Sequence, residues 1–408
     1  MMAVATATLT GPGQTIGVAV FIDRFVEDLG LSRSQVSTAY LVGTLSGAVL
    51  LPRVGRAVDR HGVRAAQMVI AVAFAAALVN MSLVTGGLWL AIGFTGIRFL
   101  GQGSLSLVAT VTVSVRFVRN RGTALGIFAT ASGALMALVP LVLAVAIELT
   151  GWRGAWRLAA LVIVVTVLPI AAFGYRGLPS GAELAAGRRS VGPTSSGAGG
   201  DPAGPVFDRR QAMATPQFWM LAATSSAAGM LVTGLNFHQI DLLGEAGLSA
   251  TAAAALFIPQ VAGSTIAGLA VGYLSDRTGT RYLPAVAMVL LVVAHLLAAV
   301  VAPGLLVLFY SVTLGAMGGT IRTTIAIVLP DWFGVAHLGS IQGSLNLFGV
   351  GASALGPVAL AVVQEWFGAY RPAVLALSAI GVAVLVLALQ PWATGAPGSP
   401  QAVSPTTT

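Results

Sequence analysis

One pattern is written twice in this chain, and it restricts the possible fold more than any other feature. Gly55-Arg-Ala-Val-Asp59-Arg60-His-Gly62-Val-Arg64 returns 217 residues later as Gly272-Tyr-Leu-Ser-Asp276-Arg277-Thr-Gly279-Thr-Arg281. Other landmarks keep the same offset. Gly30-Leu31-Ser32 returns as Gly247-Leu248-Ser249, Gly122 as Gly339, Pro140 as Pro357, Glu148 as Glu365 and Gly151 as Gly368. The chain therefore holds one structural plan executed twice, and any fold assigned to it has to be built from two like halves.

The halves are membrane-spanning. Apolar residues make up 56% of the chain and charged residues only 8%, too few to cover a water-exposed surface of this size. About 20 helical residues cross a bilayer core, and apolar stretches near that length recur at 3–25, 36–54, 66–87, 88–115, 123–147, 156–175, 216–240, 250–274, 282–302, 303–330, 339–363 and 372–391. These twelve, numbered here as spans 1 to 12, divide six to a half. They are expected to be helices, because hydrocarbon cannot hydrogen-bond an open backbone. Transmembrane strands would show short alternating patterns instead, and none is evident. The expected fold is an all-α membrane protein of twelve transmembrane helices in two six-helix bundles related by pseudo-symmetry.

Four segments follow: an N-terminal bundle at 1–175, a linker at 176–214, a C-terminal bundle at 215–391 and a tail at 392–408. The linker is rich in Gly, Pro and Ser and carries Arg188, Arg189, Arg209 and Arg210, as expected of a flexible cytoplasmic connection. The tail is Pro, Ser and Thr rich and is expected to be disordered. With the N-terminus inside, fourteen Arg residues fall on the cytoplasmic face and five on the other, so both termini are expected in the cytoplasm of a cell membrane. Residues 3–22 just span the bilayer, and no positive n-region of a cleaved signal precedes them. The first helix starts at the membrane face, or the true start lies upstream.

Some chemistry is excluded. The chain has no Cys, which rules out disulfides and thiolate metal sites. All 21 basic residues are Arg, which rules out Lys chemistry. No phosphate loop, H-E-x-x-H or plausible Ser-His-Asp set is present, so no catalytic residue, metal or cofactor is expected. The net charge of +8 sits at helix ends and sets orientation, with no call for nucleic acid.

The remaining candidates are polar groups inside the spans. Arg322, in Gly318-Gly319-Thr320-Ile321-Arg322-Thr323-Thr324 of span 10, lies roughly 7 Å inward of the midplane. A guanidinium stays protonated, and a charge in lipid is a functional hypothesis by default. Asp331, nine residues on, is too far along the helix to neutralise it. An anionic substrate held by the guanidinium fork is the expected partner; an acid from another helix or capping carbonyls would be the structural alternative. Arg98 in span 4 lies roughly 6 Å outward of the midplane, and the two cations could bracket a dicarboxylate. Gln14, Gln260, Asn346 and Asn236 are uncharged polar residues placed to touch a ligand or another helix. His238 and Asp241 share a helical face. His238 suits proton coupling, although this stretch near the outer interface also reads as a solvated helix end. Gly43–Gly47 and Gly263–Gly268 read as close helix-packing surfaces.

The twelve-span layout, the long middle loop and the duplicated G-x-x-x-D-R-x-G-x-R between spans 2 and 3 and between spans 8 and 9 resemble the major facilitator superfamily of secondary transporters. Arg98-Phe-Leu-Gly-Gln102-Gly103 resembles that family's second motif, and Gly133 to Pro140 loosely resembles a third. The resemblance implies that Gly55, Asp59, Arg60, Gly62, Arg64 and Gly272, Asp276, Arg277, Gly279, Arg281 form a conformational latch at loop edges. It also implies that Arg98 packs by bonding span 1. Gly11-Pro12-Gly13-Gln14-Thr15 with Asp28-Leu-Gly-Leu-Ser32 resembles the monocarboxylate and oxalate:formate exchanger branch. Gly268, however, stands where monocarboxylate carriers have an Arg in span 8. The function so implied is secondary transport of a small organic anion, a mono- or dicarboxylate, by alternating access, coupled to protons or by exchange, in a monomer. Proton-coupled drug efflux and a non-transporting solute sensor are the alternatives.

Overall fold

The computed structural model describes residues 1–116, 121–174, 207–334, 338–391 and 396–397. Within its helices, the side chains of 52, 55, 56, 59, 114–115, 121–123, 125–126, 276 and 338–340 lie outside the described set. All the described regular structure is helical, and every expected span falls on helix. Spans 2 and 3 share Arg33–Met81, and span 4 runs through Gly87–Ile97, Arg98–Leu105 and Ser106–Arg116. Spans 5 and 6 occupy Arg121–Met136 and Val139–Val162, continued by Ile163–Val167 and Ile170–Gly174. Span 7 is Pro216–Phe237, span 8 is Ala250–Ala255 with Phe257–Thr278, and span 9 is Leu283–Ala299. Spans 10, 11 and 12 are Leu305–Phe333, Leu338–Phe367 and Tyr370–Ala388. Apolar side chains such as Leu88, Leu149, Leu269 and Leu305 stand outward and largely exposed, as a hydrocarbon solvent allows.

The duplication is visible in the backbone. Gly30 and Gly247 adopt positive φ, as do Gly62 and Gly279, and Gly151 and Gly368. After the first pair, Ser32 and Ser249 each accept a hydrogen bond from a backbone N–H three residues on, capping the next helix. Gly62 (φ 82°) and Gly279 (φ 74°) turn the chain at the two signatures. A Cβ in this left-handed region would clash with the following carbonyl, so glycine is the residue that fits.

The signature is therefore a helical corner, where loop edges were expected. Residues 55–60 continue the helix up to Gly62, and Gly272–Arg277 form the last turns of Phe257–Thr278. The side chains of Asp59 and Asp276, the acidic members of the expected latch, lie outside the described residues. So do residue 175, residues 176–206 of the linker and almost all of the tail.

Span 1 departs most from expectation. In place of one helix it is four pieces: Met2–Thr8, Gly11–Gly13, Thr15–Ala19 and Ile22–Leu29. Pro12 lacks an N–H and its glycine neighbours weaken helix, so the ladder breaks at mid-membrane. Such a break is tolerated only where other groups satisfy the freed backbone.

The described chain divides into two compact units. The first draws on Met1–Gly197, Leu235–Val261 and Pro357–Glu365, and the second on Ala198–Gly234, Ala262–Gly356 and Trp366–Thr408. In the second unit, one core gathers Phe218, Leu221, Val271, Leu283, Trp332, Phe333 and Leu345. A second gathers Leu231, Met288, Leu291, Met317 and Val384.

Candidate functional site

Arg322 stands three residues past the centre of its helix, about 4–5 Å from mid-span at helix rise. It lines a cavity of about 320 Å³ within the second unit, between spans 7, 10 and 11. Ser225, Thr233 and Asn346 supply the other polar groups of the lining, and Ala228, Val232, Met317, Ile321, Ile325 and Val350 its apolar walls. Small residues create the space. A Cβ on Gly229 would come within 2.7 Å of the Gly349 carbonyl, and one on Gly356 within 2.0 Å of the Met230 carbonyl, so spans 7 and 11 touch backbone to backbone.

The same device fixes the guanidinium. A Cβ on Gly319 would lie 1.9 Å from the Ser264 carbonyl, and one on Gly263 2.3 Å from that of Val312. Spans 8 and 10 therefore meet closely, which brings the Ser264 hydroxyl to the Nη2–H of Arg322 as its acceptor. Among the described residues no carboxylate lies within ion-pair distance of Arg322. A permanent cation thus stands exposed along this open cavity with one neutral hydroxyl on it among the described residues, an arrangement suited to receiving an anion. Gly268, where the resembled carriers have an Arg, packs against Thr323, the neighbour of Arg322.

Arg98 is in a different situation. It belongs to the first unit and is 6% exposed. Its Nε–H donates to Thr44 Oγ1 (3.1 Å) and its Nη1–H to the Gly13 carbonyl (3.2 Å) and Thr15 Oγ1 (3.4 Å). Its guanidinium carbon lies 4.6 Å from the Tyr40 ring centroid. The break at Gly11–Gly13 is what offers the Gly13 carbonyl, and the π-helical stretch Arg98–Leu105 turns the guanidinium toward it. This charge is distributed over a carbonyl, hydroxyls and a ring.

A third polar cluster lies in the first unit, and sequence reasoning had it only in part. Arg33 Nη2 sits 2.9 Å from Asp23 and 2.6 Å from Asp241. The Ser34 backbone N–H donates to Glu365 (3.0 Å), and Thr251 donates to Glu148. His238 is buried, its Nε2–H directed at the Pro357 carbonyl (2.9 Å) with Ser37 Oγ 3.5 Å away. The solvated helix end expected here is thus overturned. Span 7 stops at Phe237, His238 caps a new helix, Gln239–Glu245, and its ring is held inside among spans 2 and 11. Four links in this cluster join the first sequence half to the second.

The remaining candidates scatter. Asn346 shares the Arg322 cavity. Gln14 donates to Thr10 (3.0 Å) within span 1, and Gln260 donates to Gln239 (2.5 Å). Asn236 Oδ1 is buried without a partner among the described residues. Ser264 was missed because it lies in the Gly263–Gly268 patch, which reads as packing. Arg33 was missed because in sequence it is one outer charge among five.

Helix covers all twelve expected spans in two repeated sets, the layout of a multi-pass membrane protein, and the family to which the chain belongs makes it a transporter and not an enzyme. The chain belongs to the Major Facilitator Superfamily, whose family model matches residues 2–303. Among curated proteins none matches it. Solved structures match over nearly the full length. One is a bacterial homolog of the human lysosomal transporter Spinster in an inward-facing, unoccupied conformation, with a TM-score of 0.74, 16% identity and 95% of each chain covered. The same homolog in its occupied conformation gives a TM-score of 0.67 at 16% identity, covering 95% of this chain and 94% of that one. The nucleoside transporter NupG, as a point mutant, gives 0.73 at 12% identity, covering 95% and 97%. At these identities the likeness is one of fold.

Proposed function

We propose that this protein is a secondary active transporter of small organic anions, mono- or dicarboxylates, that works by alternating access in the cytoplasmic membrane with both termini inside. Transport is coupled to protons or proceeds by exchange. The reading is carried by one observation: the Arg322 guanidinium faces a 320 Å³ cavity with a hydroxyl as its hydrogen-bond partner and no carboxylate nearby among the described residues. A carboxylate entering there gains a charge-assisted, bidentate partner, with Asn346 and Ser225 in the lining to orient it. The exchanger-like opening of span 1 agrees with this reading, and so does a cavity lining without acids, which disfavours cationic drugs. Arg98, already engaged by Thr44, Gly13 and Thr15, is assigned to packing span 4 on span 1. The test is uptake of labelled mono- and dicarboxylates into proteoliposomes. Uptake abolished by Arg322→Ala, with protein folded and inserted, supports the assignment. Drug-driven proton flux without anion uptake, or ligand binding without flux, rejects it.

A further inference from the structure

We propose that the basic rim at one end of the second unit binds the headgroups of anionic phospholipids. The rim begins where the linker rejoins the bundle. The Phe207 N–H donates to the Phe333 carbonyl (3.2 Å), and the two rings meet edge to face at 5.5 Å. Asp208 and Gln211 close a reciprocal capping box, and Ala212 is buried in the core. The short helix Arg209–Met213 is thereby pinned by one face, while Arg209 and Arg210 stand exposed on another. With Met213 and Ala214 they line a concavity of about 500 Å³.

The second segment is the corner after span 8. Arg277 lies 4.3 Å from the Tyr273 ring centroid and Arg281 5.1 Å from that of Tyr282, both rings being exposed. Val271 and Leu283, which bracket this corner, share a core cluster with Phe207 and Ala212, so the two basic segments occupy one end of the unit. None of the four arginines makes an ion pair among the described residues. The described acids nearby each accept a neutral hydrogen bond, Asp208 from the Gln211 N–H (2.8 Å) and Asp331 from Thr280 (2.6 Å), and neither forms an ion pair with these arginines among the described residues.

The aromatic neighbours decide between a lipid and a dissolved anion. Trp219, half exposed, donates its indole N–H to the Met213 carbonyl (2.8 Å), beside the concavity. Tyr and Trp rings mark the level where hydrocarbon meets water, and arginines at that level face phosphate headgroups. This inference rests on the membrane reading of the fold and is independent of the transported substrate.

The test is native mass spectrometry of the intact, detergent-solubilised protein with phosphatidylglycerol, phosphatidylcholine or inorganic phosphate. Phosphatidylglycerol should be retained preferentially, and retention should weaken as salt rises. Arg209→Gln with Arg210→Gln should weaken it on the order of 30-fold, and Arg209→Lys with Arg210→Lys should largely preserve it. Equal retention of both lipids, insensitivity to the Gln pair, or displacement by inorganic phosphate at the same concentration would overturn the proposal. Should the Gln pair not fold, salt-insensitive phosphatidylglycerol retention by the unmodified protein would overturn it equally.

Discussion

Asp241→Asn should loosen the closure that ties span 2 to the region after span 7. Arg33 and Asp241 approach to 2.6 Å, with 18% and 23% of their side chains exposed, so the pair is partly dehydrated. A hydrogen bond to a charged group contributes about 1.5–3 kcal/mol. Asparagine keeps the shape and one acceptor but removes the charge, while Arg33 retains Asp23 at 2.9 Å. Because the bond exists only while the cluster is closed, its loss acts on the closed state alone. At 1.4 kcal/mol per decade, the open population should rise about 10- to 150-fold. The chain has no Cys, so a single introduced thiol reports without background. Ser37, fully buried beside His238, is a nearly isosteric place for it. In a Ser37→Cys background, labelling by a membrane-impermeant maleimide from the Arg33 face should accelerate by that factor when Asp241→Asn is added. An unchanged labelling rate would refute the claim that this pair holds the cluster shut.

Three further outcomes are expected. Gly319→Ala must push spans 8 and 10 apart, since its Cβ would lie 1.9 Å from the Ser264 carbonyl. Overpacking of this kind costs about 1–3 kcal/mol, read as a lower melting temperature in detergent, with uptake lost through the displaced Ser264–Arg322 contact. Gly62→Ala and Gly279→Ala should each destabilise by about 1–2 kcal/mol, because both positions hold positive φ; equal melting temperatures for variant and parent would contradict this. Arg98→Ala strips the Gly13 carbonyl and the Thr44 hydroxyl of their donor. Each buried group left unpaired costs about 1–3 kcal/mol, so expression and thermal stability should fall along with transport, whereas Arg322→Ala should impair transport alone.

Much of the scaffold was legible because its causes are local. Span length, apolar content and the bias of Arg residues are properties of short windows. The repeated glycines at 62 and 279 mark backbone corners whatever packs around them. The break in span 1 was not read from Gly11-Pro12-Gly13, although the residues permit it. A proline inside a membrane helix is tolerated intact or broken, depending on what satisfies the freed groups, and here the donor to the freed Gly13 carbonyl is Arg98, 85 residues away in span 4.

The charged groups show the division most plainly. By itself, the sequence determined that the chain crosses a membrane in two like halves and that Arg98 and Arg322 are cations inside it. Tertiary structure alone decided which charges are already answered among the described residues: Arg98 by a broken helix, Arg33 by two carboxylates, and Arg322 by a single hydroxyl beside a cavity. The reason is physical. A helix period fixes which residues share a face, but whether a charge finds a partner depends on distances of a few ångströms between segments far apart in the chain, and those are set by where glycines let helices touch.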